Sequence, residues 1–141
     1  MKHSCLAWAR VLAAFVLQLR RDVPAVHEQA KAAVARSTAQ GFPFWAAWGT
    51  SLCGWALAMQ GQGEAGLAQM RQGLAAVLAM GNETARPRGL LLLAEVAGPA
   101  GQVEEGLRLL AFSVIWRNFG RQTVSHLLTI TCDDNQQTKV K

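Results

Sequence analysis

The stretch Trp45-Ala46-Ala47-Trp48-Gly49-Thr50-Ser51-Leu52-Cys53-Gly54-Trp55-Ala56-Leu57-Ala58-Met59 decides the fold. Trp45, Trp48, Leu52, Trp55 and Met59 step by 3, 4, 3 and 4, the spacing that lines one face of an α-helix. Gln60-Gly61-Gln62 then marks a short turn. Leu67, Met70, Leu74, Val77 and Leu78 form a second helical stripe, with Glu64, Gln69, Arg71 and Gln72 on the other faces. This second helix is expected to end near Gly81, a residue suited to the left-handed C-terminal cap. The two helices make one pair, A and B.

Outward from that pair the chain repeats itself at an offset of 40. Trp8 maps to Trp48, Leu12 to Leu52, Ala14 to Gly54, Phe15 to Trp55 and Leu17 to Leu57. The same shift takes Gly41 to Gly81, and Gly61-Gln62-Gly63-Glu64-Ala65-Gly66-Leu67 to Gly101-Gln102-Val103-Glu104-Glu105-Gly106-Leu107. The chain therefore holds about three copies. In the first, helix A runs from about Cys5 to Leu19, a turn spans Arg20 to Val23, and Pro24 opens helix B, where its missing N–H costs nothing. In the third, Leu90 to Ala97 is helix A, Gly98-Pro99-Ala100-Gly101 the turn, and Val103, Leu107, Leu110, Ala111 and Val114 the stripe of helix B. Small residues recur where helices must cross closely: Ala14, Gly54 and Ala94 on the A helices, Gly66 and Gly106 on the B helices. The fold class is all-α, stacked antiparallel helix pairs forming an α-solenoid. Residues 1–118 make the helical repeat domain, and 119–141 an irregular C-terminal cap or solvated tail.

Composition agrees. A hydrophobic share of 51% in 141 residues builds a core without disulfides or metal, and it is carried by Ala, Leu, Trp and Met with no Tyr, which favours helices over strands. The formal charge is +5, but Arg20 and Arg21, Arg86 and Arg88, Arg117 and Arg121, and Lys139 and Lys141 are scattered, so no nucleic-acid surface is indicated. Cys5, Cys53 and Cys132 are odd in number and lack C-x-x-C spacing, so neither a disulfide framework nor a thiolate zinc site is indicated, and a reducing cytoplasm fits best. Lys2 and His3 precede the apolar run Leu12 to Leu17, but Arg10 breaks the apolar stretch early and no small-x-small cleavage site follows the run before Arg20-Arg21. The run is also well short of the roughly 20 residues that span a bilayer. No membrane partner is expected.

The repeated motif resembles the tetratricopeptide-like region found C-terminal to the ATPase part of large bacterial regulators, including those with class III adenylate or guanylate cyclase domains. The resemblance rests on Gly41-Phe42-Pro43-Phe44-Trp45-Ala46-Ala47-Trp48-Gly49-Thr50, on Gly54-Trp55-Ala56-Leu57-Ala58 with Gln60-Gly61-Gln62-Gly63, on Met70-Arg71-Gln72-Gly73-Leu74, and on Leu92-Leu93-Ala94-Glu95 followed by Ala100 to Leu107. It covers roughly residues 5–111. It implies a tetratricopeptide-like solenoid of about three repeats, acting as an interaction or sensing segment without the catalytic domains. After Ala111 the sequence departs from that pattern, as a degenerate cap or the product of truncation or frameshift would. Ile115, Trp116 and Phe119 remain apolar enough to cover the last helix.

Several motifs invite a chemical reading and lack the context for it. Gly61-Gln62-Gly63-Glu64-Ala65-Gly66 matches G-x-G-x-x-G, with Glu83 about 20 residues on, yet the dinucleotide fingerprint must follow a buried strand and here a Trp-striped helix precedes it. His27-Glu28 begins like H-E-x-x-H, but Lys31 stands where the second histidine is required, and His3 and His126 are isolated. Cys53 lies mid-helix among Leu52, Gly54 and Trp55, as a small hydrophobe would. Glu104 and Glu105 suit a helix start, but helical neighbours point about 100° apart, which is poor geometry for an acid–base pair. No phosphate loop G-x-x-x-x-G-K-[ST] occurs in the sequence, and Asn82-Glu83-Thr84 is a glycosylation sequon without an export signal. No enzyme activity, cofactor or metal is assigned.

The stronger expectation is a surface. In stacked pairs the A helices line the concave side, and the register places there Trp8, Val11, Phe15 and Gln18, then Trp48, Ser51 and Trp55, then Arg88, Leu91 and Glu95. Aromatics and Arg dominate binding energy at interfaces, although a Trp stripe also packs repeats together. The sequence thus points to a non-enzymatic protein-protein interaction module that takes a protein or peptide partner. The alternatives are a small-effector-binding sensor fragment and a truncated remnant of such a regulator. An open repeat end would expose apolar surface and invite self-association.

Overall fold

The computed structural model describes residues 2–98, 104–112 and 115, and all of its regular structure is helical, with no strand among the described residues. Five helices follow one another: α1 (Lys2–Leu19), α2 (Val23–Ala39), α3 (Pro43–Met59), α4 (Gly63–Ala79) and α5 (Arg86–Ala97), the last preceded by a 3-10 turn at Glu83–Ala85. A further helical stretch occupies 104–112.

The turns recur every twenty residues. Arg21, Gly41, Gly61 and Gly81 all have positive φ, from 61° to 93°. At the first three turns the backbone closes in the same way. The N–H of Asp22, Phe42 and Gln62 donates to the carbonyl of Leu17, Ser37 and Leu57, while that of Arg21, Gly41 and Gly61 donates to Gln18, Thr38 and Ala58. These pairs satisfy carbonyls that a helix end would otherwise leave open. Asp22 then caps α2, accepting from the Ala25 N–H at 3.3 Å, and prolines stand in the first turns of α2, α3 and α5.

Successive helices run antiparallel. Between α3 and α4 the close approaches pair Gly54 with Gly66, Ser51 with Met70, and Ala47 with Gly73. A Cβ added to Gly54 would lie 2.6 Å from the Gly66 carbonyl oxygen, and one added to Gly66 would lie 2.5 Å from that of Gly54. The expected crossing of small residues is therefore real at this pair. At Gly106 an added Cβ would meet the Ala94 oxygen at an ordinary 3.4 Å, so the third crossing is looser.

The central helix α3 touches α1, α2, α4 and α5, whereas α1 and α5 do not approach each other's backbone, nor do α2 and α4. That enclosure explains why α3 is buried along Ala47–Gly49 and Ser51–Ala56, nearly all round. Its side chains join Val11, Val26, Leu67, Met70, Val77 and Val96 in one core. The A helices of the first and third copies begin earlier than the apolar stripes suggest, α1 by Lys2 and α5 at Arg86. At α5 the reason is local: Arg86-Pro87-Arg88-Gly89 carries no apolar stripe, yet proline is at home in a first turn. The turn expected at Gly98-Pro99-Ala100-Gly101 lies beyond the described residues after Gly98, as do Val103, Val114, Trp116, Phe119 and the expected cap or tail at 119–141.

Candidate partner-binding groove

Because the backbones of α1 and α5 flank that of α3 without approaching each other, a trough runs between them over α3. Its wider hollow, about 470 Å³, is walled by Trp8, Leu12 and Phe15 of α1, floored by Phe44, Trp45 and Trp48 of α3, and closed by Thr84, Ala85 and Arg88. An adjoining hollow of about 310 Å³ is lined by Gln18 and Leu19, by Arg88, Leu91 and Glu95, and by Leu110. Leu19 and Arg88 belong to both.

Aromatic edges build the floor. Phe15 meets Trp48 edge-on with centroids 5.1 Å apart, and Phe44 meets Trp45 at 4.7 Å. Over Phe15 lies the Arg88 guanidinium, 4.7 Å from the ring centroid, a cation–π arrangement.

A chain of polar side chains bridges the trough where the two hollows meet. Arg88 Nη2 donates to Gln18 Oε1 at 3.0 Å, Gln18 Nε2 donates to Glu95 Oε2 at 3.0 Å, and Arg21 Nη1 pairs with Glu95 Oε1 at 2.7 Å. Gln18 is 4% exposed, so both faces of its amide are used inside the structure. Burial pulls the Arg88 guanidinium below its ordinary value, and the Glu95 carboxylate opposes that pull.

The structure divides the ten residues that the register placed on the A-helix face. Trp8, Val11, Phe15, Trp48 and Arg88 line the wider hollow, and Gln18, Leu91, Glu95 and again Arg88 the smaller one. Ser51 and Trp55 line neither. Ser51 is buried and donates to the Met70 carbonyl at 3.4 Å, and Trp55 is wholly enclosed, with an indole N–H that has no partner. On a helix with neighbours on every side, a position that faces the trough on α1 is covered on α3. Val11 and Trp48, at 0% and 6% exposure, contribute floor rather than rim, whereas Trp8 at 47% and Leu91 at 40% present open apolar surface. Phe44, Trp45 and Leu12 also belong to the hollow, although the register does not put them among the ten. Trp45, one turn before Trp48, was the signal that could have found the first two.

The remaining motifs fall into structural places. Gly61 and Gln62 form a turn between two helices, with Gly63 opening α4, so the G-x-G-x-x-G run has helix–turn–helix context. Burial pushes the Cys53 thiol up to about 11, with Lys31 pulling weakly the other way, so the thiol stays protonated near neutrality. Glu105 pairs with Arg108 at 3.1 Å and approaches Arg71 at 4.0 Å, apart from the exposed Glu104. Among the described residues no three His, Cys, Asp or Glu side chains gather as a metal would need, and no helix is long and apolar enough to cross a membrane. A third hollow, about 390 Å³, lies in the gap between α2 and α4, lined by residues such as Ser37, Phe42, Thr50 and Gln72.

No family model, no curated protein and no solved structure matches the chain.

Proposed function

We propose that the chain is a non-enzymatic protein-binding module, a tetratricopeptide-like solenoid of about three stacked helix pairs, that holds a helical or extended segment of a partner protein in the trough between α1 and α5. Support for the stacking comes from a contact that recurs at the 40-residue offset. Val34 of α2 stands over Gly49 of α3, and Leu74 of α4 stands over Gly89 of α5. The binding role rests on one observation above the others: Trp8 is 47% exposed on the wall of an aromatic hollow whose floor includes the buried Trp48. An aromatic anchor beside a desolvated pocket is the arrangement that concentrates binding energy.

On the strength of the sequence resemblance we take the module to be a segment of a bacterial regulator of the ATPase and cyclase type, and the free thiols Cys5 and Cys53 support a reducing setting for it. Selection of displayed peptides on the purified chain tests the binding role. Peptides that bind wild type and lose about tenfold or more in affinity to Trp8→Ala, an energy of about 1.4 kcal/mol, support the trough as the site. Selected peptides that ignore Trp8→Ala and Leu91→Ala sink it.

A second reading, a sensor for a small effector, draws on the size of the wider hollow, which falls within the roughly 300–1,000 Å³ of small-molecule pockets. Thermal stabilisation by a small-molecule panel, with no peptide selected, would favour it.

A further inference from the structure

Around α3 the described helices pair off, α1 with α2 and α4 with α5, which leaves two gaps. One is the trough. The other, on the opposite side of α3, is the hollow of about 390 Å³ between α2 and α4, and the two gaps share no lining residue. Phe42, Pro43 and Ala46 give this hollow apolar walls, and none of the described residues that line it carries a charge.

Two hydroxyls interrupt the apolar lining. Thr50 Oγ1 donates back to the Ala46 carbonyl at 2.9 Å, which commits its proton and leaves its oxygen able to accept. Ser37 makes no such bond: it is wholly buried, and its Oγ has no partner. The 40-residue register sharpens the contrast, because the places of Ser37 and Thr50 are taken in the next copy by Val77 and Leu90, both packed into the core. Packing alone is satisfied by such side chains, whereas a hydroxyl shut away from water and left unpaired destabilises the fold. Being smaller than valine and leucine, Ser37 and Thr50 also leave room between the helices.

We propose that this hollow is a binding site for a small uncharged alcohol or phenol, separate from the trough and independent of the partner-binding reading. A ligand hydroxyl supplies what both side chains lack: it accepts from Ser37 and donates to Thr50, while its hydrocarbon body lies against Phe42, Pro43 and Ala46. The volume suits a small molecule, and a charged ligand would find no counter-ion on these walls.

Thermal melts and saturation-transfer NMR of the full chain with phenol, benzyl alcohol and cyclohexanol test this, with toluene and benzoate as the apolar and charged controls. The hydroxyl compounds are expected to bind and raise the melting temperature, and both controls to bind about fivefold more weakly or less. Ser37→Ala removes the hydroxyl without adding bulk. The free variant should melt at the wild-type temperature or above it, since that oxygen has no partner to lose and alanine is the better helix former. Its affinity for phenol should fall about fivefold, the effect of one ordinary hydrogen bond. Ala76→Leu, at an exposed place on α4 that lines the hollow, should fill it and abolish binding with the fold intact. Trp8→Ala, in the trough, should leave binding unchanged. Binding that survives Ser37→Ala or Ala76→Leu undiminished, or that Trp8→Ala removes, overturns the proposal. So do toluene binding as tightly as phenol, a panel in which no hydroxyl compound binds, and a free Ser37→Ala chain that melts below wild type, since that oxygen would then be paired already.

Discussion

Gly54 of α3 and Gly66 of α4 cross with each backbone in the other's side-chain space, since a Cβ on either would fall 2.5–2.6 Å from the opposite carbonyl oxygen. Neither backbone can yield without moving its helix. Gly54→Ala or Gly66→Ala should therefore destabilise by about 2–3 kcal/mol through overpacking. Gly61→Ala isolates the other use of glycine: nothing lies within 4 Å of its added Cβ, so the expected loss of about 1–2 kcal/mol is the left-handed backbone alone. Denaturant melts of the three variants check the order, and equal losses would refute the distinction.

Gln18 holds α1 to α5 across 70 and 77 residues of sequence, through Arg88 and Glu95. Gln18→Ala leaves the half-buried Arg88 guanidinium and the Glu95 carboxylate short of one partner each. We expect a loss of about 1–3 kcal/mol, and faster amide exchange along α5, whose backbone does not reach α1. Exchange that quickens uniformly over all helices would mean that the bridge is not a local tie.

The aromatic residues of the trough should separate by burial. Trp48→Ala, at 6% exposure, should cost about 3–5 kcal/mol as a core truncation. Trp8→Ala, at 47%, should change stability by about 1 kcal/mol or less. Thermal melts give the test, and a Trp8 variant as unstable as the Trp48 variant would make Trp8 a packing residue and not a rim.

Cys53 and Cys5 should differ in reactivity. The Cys53 thiol is raised from 9.0 to about 11 by burial, so it stays protonated in the folded chain while the unfolded chain ionises. Its contribution to stability is present below about pH 9 and is lost as the pH rises from 9 towards 11. A Cys53→Ala variant should show a flatter fall of stability across that window. At pH 8 a thiol reagent should label the exposed Cys5 at once and Cys53 only on unfolding.

The sequence by itself determined the helices, their turns and the 40-residue register, because these depend on local quantities. A 3.6-residue period shows in the spacing of Trp45, Trp48, Leu52, Trp55 and Met59. A left-handed turn shows in Gly41, Gly61 and Gly81, and a first turn in Pro24 and Pro43. Arg21 takes the same left-handed place without the glycine that would have announced it. Only the tertiary structure decided which equivalent positions became groove and which became core. Phe15 and Trp55 share one place in the register, yet Phe15 lines the trough because α1 is covered on fewer sides, and Trp55 is sealed because α3 has neighbours all round. The bridge from Gln18 to Arg88 and Glu95 is likewise invisible in the chain, since its partners lie 70 and 77 residues apart and meet only when the helices between them pack together.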